Sequence, residues 1–343
     1  MARPERRPFG SRGRLVLGMA ATAFSLKLGL QKGVPRGLRC MAIGAEGPLS
    51  PTVEGLLRRV RRCNNAATSL GQTRPFLVQG STDLGMVLPE AASELARFPE
   101  VFRLTDDAVE LIAGGDSVEA RTLAVAGIFD RLREEARIPM LKGWRDEAWS
   151  VKPSFHSEAA LVVERAAGPL LGVRAFGCHI NGLVSEGGKD RLWVARRAAT
   201  KQTYPSKLDH MVAGGLSHGE QPTENVIREC WEEARIPPEM SKAARSTGII
   251  SYCMVDPTGW GINKDAIFCY DLELDPAFRP VAGDGEVESF DLWDMKDVVD
   301  SLIAENDDWK PNVALVIIDM LIRRGHLAPE EAGYGRLARA VRQ

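Results

Sequence analysis

The 343-residue sequence has no closely paired cysteines, no long apolar run outside its leader, and no excess of positive charge beyond that leader. Each absence removes a class of protein. The six cysteines (Cys40, Cys63, Cys178, Cys230, Cys253, Cys269) form no CxxC and no other short pair. Such scatter argues against a disulfide framework or a zinc site and fits reduced, mostly buried thiols. Past the leader no segment reaches the roughly 20 unbroken apolar residues that span a bilayer, so no membrane role is expected. Residues 1–44 hold nine Lys/Arg against one acid, Glu5, and leave 35 basic against 45 acidic residues in the body. A body that anionic is a poor partner for nucleic acid, which is bound by neutralising phosphates with Lys and Arg. It needs metal ions if its ligand is a phosphate. With 44% hydrophobic residues the chain is too apolar to be mainly disordered, and its length suggests about two domains.

Residues 1–44 read as a targeting leader to be removed, Arg-rich with an apolar run from Leu15 to Leu26. An organelle transit peptide explains the basic bias, and a secretory signal explains the apolar middle with Ala20, Ala21 and Ala23. The two can act in series, since Ala21-Thr22-Ala23-Phe24 resembles the cleavage region of two-part plastid leaders. Leu38-Arg39-Cys40-Met41-Ala42 looks like a plastid processing site. The plastid is the first expectation for location, the mitochondrion the second, and an untranslocated tail the bland alternative.

After a Gly/Pro/Ser-rich stretch from Gly44 to Pro51, Val53, Leu56, Leu57 and Val60 have helical spacing. Phe76 to Val78 and Met86 to Leu88 read as strands, and Ala91 to Ala96 and Val118 to Leu132 as helices. A basic, aromatic junction from Trp144 to Trp149 leads to a domain boundary placed near 155. The second half reads as strands at 159–163, 172–177, 191–195, 208–213, 248–254, 266–274 and 290–293. A helix is expected from Pro222 to Ala234, stopped by Pro237-Pro238, and another from Asn312 to Arg323 ending at Gly325. The fold class is therefore α/β (α+β), a mixed sheet covered by helices. Glu134 to Pro139 repeats Glu232 to Pro237 letter for letter, but without the upstream glycine pair, and is read as a chance helix end with a solvated face.

Residues 214–236, GGLSHGEQPTENVIRECWEEARI, carry the chemistry. Glu229, Glu232 and Glu233 stand at i, i+3 and i+4 of one helix and share a face. Three crowded carboxylates repel one another unless something cationic sits between them, and oxygen-only ligands suit Mg²⁺ or Mn²⁺ better than zinc. Arg228 can tie down one carboxylate. The Gly214-Gly215 pair allows close backbone approach, so a carbonyl near Ala213 or Gly214 can join a metal shell.

This stretch resembles the Nudix box, G-x5-E-x7-R-E-U-x-E-E-x-G-U with U a bulky apolar residue. Gly214, Glu220, Arg228, Glu229, Glu232, Glu233 and Ile236 fall at the required spacing, with Cys230 at the first apolar position. The resemblance implies Glu232 and Glu233 as metal ligands and Glu229 as ligand or general base oriented by Arg228. Glu220 would support the loop or bind a further metal. Family members cleave diphosphate linkages by water attack, with the metal polarising phosphoryl oxygens. One position departs: Arg235 stands where the box has its second glycine, at a cost of about 1 kcal/mol if the helix end needs a left-handed residue.

The resemblance extends over residues 50–335. Phe76-Leu77-Val78, Phe98 to Phe102 and Trp144 to Glu147 look like the domain that precedes the Nudix domain in fungal proteins fused to thiamine pyrophosphokinase. Plant plastid Nudix proteins share that domain. Leu208 to Leu216, Asp284 to Glu288 and Lys310-Pro311-Asn312 fit the same group. It implies a Nudix α/β/α sandwich with a mixed sheet over 156–335, preceded by a smaller α/β accessory domain over 48–155. The implied activity is Mg²⁺-dependent (or Mn²⁺-dependent) hydrolysis of thiamine diphosphate and its damaged oxo and oxy forms to the monophosphate and orthophosphate. The alternatives are another nucleoside diphosphate such as ADP-ribose, or a non-catalytic ligand-binding module. Glu286 or Glu288 can supply a further metal ligand or be a solvated acid, with Glu286 the candidate ligand. Gly214, Gly215 and Lys310 are candidate cofactor-binding positions, although Lys310-Pro311-Asn312 is also a helix-start signal. His179 and His210 are expected to be satisfied structural histidines. Trp144 and Trp260 can stack on an aminopyrimidine-like ring or serve the core, and Arg145 can meet a phosphate or pair with Glu147. The accessory domain is expected to close over the site, in a monomer or homodimer whose partner is a small-molecule diphosphate.

Overall fold

Helix α1 (Pro51–Cys63) begins where Ser50 caps it, accepting the Val53 N–H at 3.2 Å, with Pro51 in the first turn. It is the first element of the computed structural model, which describes residues 47–342; the leader expected over 1–44 lies outside the described residues. A four-stranded sheet follows, formed by β1 (Arg74–Val78), β2 (Ser81–Val87), β3 (Phe102–Leu104) and β4 (Val109–Leu111) in the order β2-β1-β4-β3. Helices α2 (Pro89–Leu95) and α3 (Val118–Glu134) cover it around a core of Phe76, Phe98, Phe102, Phe129 and Leu132. The first copy of the repeated hexapeptide starts at Glu134, the last residue of α3, and runs past the helix, mostly exposed except for the buried Ile138. A hairpin of β5 (Ala148–Val151) and β6 (Leu161–Glu164) and a short α4 (Gly168–Leu171) lead to the second sheet.

That sheet is mixed. Its strands are β7 (Arg174–Glu186), β8 (Lys189–Arg197), β9 (Leu208–His210), β10 (Val212–Gly215), β11 (Arg245–Val255), β12 (Ile262–Glu273) and β13 (Val287–Asp294). The order is β11-β12-β7-β8-β13, with β10 also on β7 and β9 on β8; the β12–β7 pair is parallel. Helices α5 (Pro222–Ala234) and α6 (Pro238–Ser241) follow β10; α7 (Met295–Ile303), α8 (Pro311–Arg323) and α9 (Tyr334–Val341) close the chain. One sheet face packs Cys178, Ile180 and Tyr270 against Val226, Cys230 and Ala234 of α5. The other packs Ile250, Ile267 and Cys269 against the apolar α8. The result is the α/β/α layering expected, since strands that alternate faces need cover on both sides.

Helix α1 contributes Val53, Leu56, Leu57 and Val60 to this second core and not to the accessory one. Buried Arg59 fixes it there by donating to the carbonyls of Leu302 (2.8 Å) and Ala304 (2.9 Å) at the end of α7. The five cysteines within the described residues are free. No described helix is long and apolar enough to cross a membrane.

Candidate active site

Strand β10 delivers two glycines to the start of the loop that precedes α5. A Cβ on Gly214 would fall inside the Glu229 carboxylate, so only glycine lets this side chain lie against the strand. Helix α5 runs between the boundaries that its prolines impose, and the Gln221 N–H donates to Glu224 at 3.2 Å across the first turn. Buried Asn225 ties helix to loop, donating to the Gly215 carbonyl (2.8 Å) and to Glu220 (3.0 Å).

The cation among the carboxylates is a side chain. Arg228 donates from Nε to Glu220 Oε1 at 2.8 Å and from Nη1 to Glu232 Oε2 at 2.7 Å, and its Nη2 lies 3.0 Å from Glu229 Oε1. The sequence suggested one carboxylate for Arg228; it gathers three. Glu233 turns inward, 7% exposed, and accepts the Ala213 N–H at 2.9 Å. Burial, with the charges of Glu232 and Glu286, lifts Glu229 to about 7 against the opposing pull of Arg228. Burial and then the Glu229 charge push Glu233 well above the carboxylate range. Burial also opposes ionisation of Glu220, but hydrogen bonds from Arg228 and Asn225 outweigh it and hold that group below its usual value.

Among the described residues no three His, Cys, Asp or Glu side chains form a ready cation cage. The donor set nevertheless fits a hard divalent ion. All its atoms are carboxylate oxygens, and the buried Glu229 and Glu233 carry mutual repulsion that such an ion would relieve.

Arg235 adopts the left-handed conformation the box pattern demands, with φ 52° and ψ 34°. Its guanidinium lies over the Trp231 ring and donates to the Gly283 carbonyl at 2.5 Å. The Gly283 N–H donates in turn to the Glu233 carbonyl at 3.2 Å, so the loop bearing Glu286 is fastened to the end of the catalytic-type helix. Glu286 lines the same cleft as the α5 acids but pairs with Lys201, which outweighs burial and keeps it below its usual value. Glu288 is exposed.

The cleft encloses about 1680 Å³. Its acidic wall is α5; its basic wall includes Arg145, Arg165, Arg197 and Lys310. Arg145 does not pair with Glu147. Its guanidinium donates to the Gly143 carbonyl at 2.6 Å and forms no ion pair among the described residues, while burial and Arg165 weaken its hold on its proton. Glu147 pairs instead with Arg165 at 2.8 Å, and Arg165 stacks over Trp149 at 5.1 Å. The His218 N–H donates to the Ala148 carbonyl at 2.7 Å, joining the accessory hairpin to the glycine loop. Lys310 reaches Asp209 at 3.1 Å, which Arg197 also holds at 2.7 Å.

Trp144 lies under Arg133 and Trp260 packs on the accessory core; neither lines the cleft, where Trp149 is the tryptophan present. The two histidines are buried but not satisfied. Their rings meet edge-on at 4.7 Å, and His179 Nδ1 and both nitrogens of His210 have no hydrogen-bond partner among the described residues.

Residues 55–175 match a domain of unknown function, DUF4743, and residues 179–313 match the NUDIX domain. The chain is similar to "Nudix hydrolase 24, chloroplastic" of Arabidopsis thaliana, 38% identical over 295 residues that cover 85% of this chain and 79% of that protein. "Nudix hydrolase 20, chloroplastic" of the same plant is 37% identical over 302 residues, with the same two coverages of 85% and 79%. Among solved structures, DR0079 from Deinococcus radiodurans is 20% identical, covering 42% of this chain and 81% of that chain with a TM-score of 0.33.

Proposed function

The chain belongs to the Nudix hydrolase family, and from that premise we propose that this pyrophosphohydrolase acts on thiamine diphosphate and its damaged oxo and oxy forms, releasing the monophosphate and orthophosphate. The observation that carries this reading is a cleft with four α5-side carboxylates on one wall and, on the other, an Arg145 whose guanidinium forms no ion pair among the described residues. A diphosphate suits both walls, taking the arginine directly and the carboxylates through a cation. The thiamine part rests on the resemblance over residues 50–335, in which a matching accessory domain precedes the Nudix domain.

In this mechanism Glu220, Glu232 and Glu233 would hold Mg²⁺ or Mn²⁺, with Glu229 a further ligand where it is not the base, and the ion would polarise the phosphoryl oxygens and acidify a water. Glu229 accepts the proton of the attacking water, its carboxylate set by Arg228 and by the missing Cβ of Gly214. Arg145 and Arg165 meet the phosphoryl oxygens from the accessory side. Lys310 and Glu286, each already paired, set the charge of the walls. The mature protein works in the plastid, as the chloroplastic relatives suggest, with the leader removed; their names give the mitochondrial alternative no support.

The test is hydrolysis by the purified chain, with Mg²⁺ or with EDTA, read as orthophosphate from thiamine, oxothiamine and oxythiamine diphosphates and as AMP and ribose 5-phosphate from ADP-ribose. The thiamine class should give the highest kcat/KM, and EDTA should abolish it. Faster turnover of ADP-ribose would replace the substrate. Binding without turnover at any Mg²⁺ concentration would make the protein a ligand-binding module.

A further inference from the structure

Asp265 sits in the middle of β12, between β11 and β7, paired in register with Tyr252 on one side and Ala175 on the other. It lines the same cleft as the α5 acids, in a wall shared with Tyr252, Met254, Asn263 and Ile267. The Tyr252 hydroxyl donates to Asp265 Oδ2, and Asn312 Nδ2 donates to that hydroxyl at 3.3 Å. This relay anchors one carboxyl oxygen. Among the described residues no other side chain hydrogen-bonds Asp265, so the second oxygen is unclaimed.

Asp265 is partly exposed on the cleft wall, so its second oxygen is open to a partner that a ligand brings. The arrangement suits a ligand that completes the set. Its position relative to the reaction is fixed by register: Gly215 pairs with Gly177, which pairs with Ile267, two residues along β12 from Asp265. At strand spacings of about 4.8 Å and rises of about 3.3 Å, Asp265 lies roughly 12 Å from the glycine loop. That is the reach of a diphosphate carrying an organic group of two small rings.

We propose that Asp265, oriented by Tyr252, determines specificity by pairing with the edge of a nitrogen heterocycle of the 4-aminopyrimidine class at the organic end of the substrate. This rests on the hydrolase function proposed above and adds to it the residue that reads the ring. An exocyclic amino group donates to the unclaimed oxygen of Asp265, while Oδ2 stays with the Tyr252 hydroxyl. Burial raises the proton affinity of Asp265 against Tyr252, Arg165 and Lys310, so the group can accept from an amino substituent or, as the acid, donate to an oxo substituent. One side chain thus accommodates the parent ring and its 4-oxo form.

The test measures kcat/KM of the full chain with Mg²⁺ on thiamine diphosphate, on oxythiamine diphosphate and on isopentenyl diphosphate, which has no ring. Asp265→Asn should lower kcat/KM on thiamine diphosphate about 50-fold, mainly through KM. It should leave isopentenyl diphosphate within about twofold and shift the amino-to-oxo ratio at least tenfold toward oxo. Tyr252→Phe keeps the carboxyl and loses its anchor, so it should lower both ring substrates about fivefold, and it serves if Asp265→Asn does not fold. An equal effect on all three substrates, or none, overturns the inference while the thiamine assignment stands. Turnover of isopentenyl diphosphate but of neither ring substrate by the unaltered chain overturns both.

Discussion

Adding one methyl group at Gly214 probes the reacting geometry without touching a charged residue. The Cβ of Gly214→Ala would land on the Glu229 carboxylate, far inside the 3.0 Å that real Cβ contacts respect. Glu229 must therefore retreat by about 1 Å, and Arg228, which also grips Glu220 and Glu232, must release it or follow. Misplacement on that scale costs about 10²-fold in rate. Gly214 has no positive φ, so the effect is steric, and overpacking should cost the fold about 1–3 kcal/mol. Gly215 is the control: a Cβ there finds its nearest neighbours, Arg165 and Trp149, at 3.4 Å, an ordinary contact. Steady-state phosphate release and thermal unfolding on both variants decide the matter. Gly214→Ala should lose about 10²-fold in kcat while remaining folded, and Gly215→Ala should stay within about threefold. A Gly214→Ala enzyme with wild-type kcat, or equal losses in both, would refute the reasoning.

Arg145→Ala should raise KM about tenfold with kcat little changed, because it removes binding from a phosphoryl group without touching the α5 acids; an unaltered KM would exclude the contact. Arg235→Gly relieves a strained φ worth about 1 kcal/mol but cuts the Gly283 tether, so stability should change by less than about 1 kcal/mol. Amide exchange at Gly283 should quicken, and unchanged exchange would show that the guanidinium does not fasten the loop. Burial lowers His210 from 6.5 to about 4, so between those values the unfolded chain binds more protons and stability falls as pH falls. Urea unfolding should show His210→Leu gaining about 2–3 kcal/mol on the wild type between pH 7 and pH 4.5. The difference between proteins is the readout because Glu229 and Glu233, raised in the fold, give the opposite slope over this range. Parallel stability curves would mean that His210 is protonated in the folded state.

Helix α5 was legible to the residue because its limits are covalent, set by Pro222 and Pro237-Pro238, and the left-handed turn at Arg235 follows from where that helix stops. Strands β8, β11 and β12 declared themselves, whereas β7, the longest, was legible only as far as Gly177 because buried His179 and Asn181 interrupt its apolar run, and the three-residue β3 and β4 are too short for any alternation to register. What periodicity cannot give is the partner. The stripe on α1 announces an amphipathic helix, but nothing in it says that the stripe meets α8, so removing residues 45–155 would also strip the second core. The same limit hid the Lys310–Asp209 pair and the Tyr252–Asp265 pair, which depend on chain return and cross-strand register. Spacing placed Glu229, Glu232 and Glu233 on one face correctly. It did not reveal that Arg228 would gather Glu220, Glu229 and Glu232 while Glu233 turned inward, because i, i+3, i+4 geometry fixes backbone position and not rotamer.

The central claim is that these acids bind a divalent cation, and Mn²⁺ titration followed by electron paramagnetic resonance tests it most directly. The unaltered chain should bind Mn²⁺ in competition with Mg²⁺, and Glu233→Gln and Glu232→Gln should each weaken that binding at least tenfold while circular dichroism shows the helix retained. Undiminished Mn²⁺ binding by both folded variants would contradict the account.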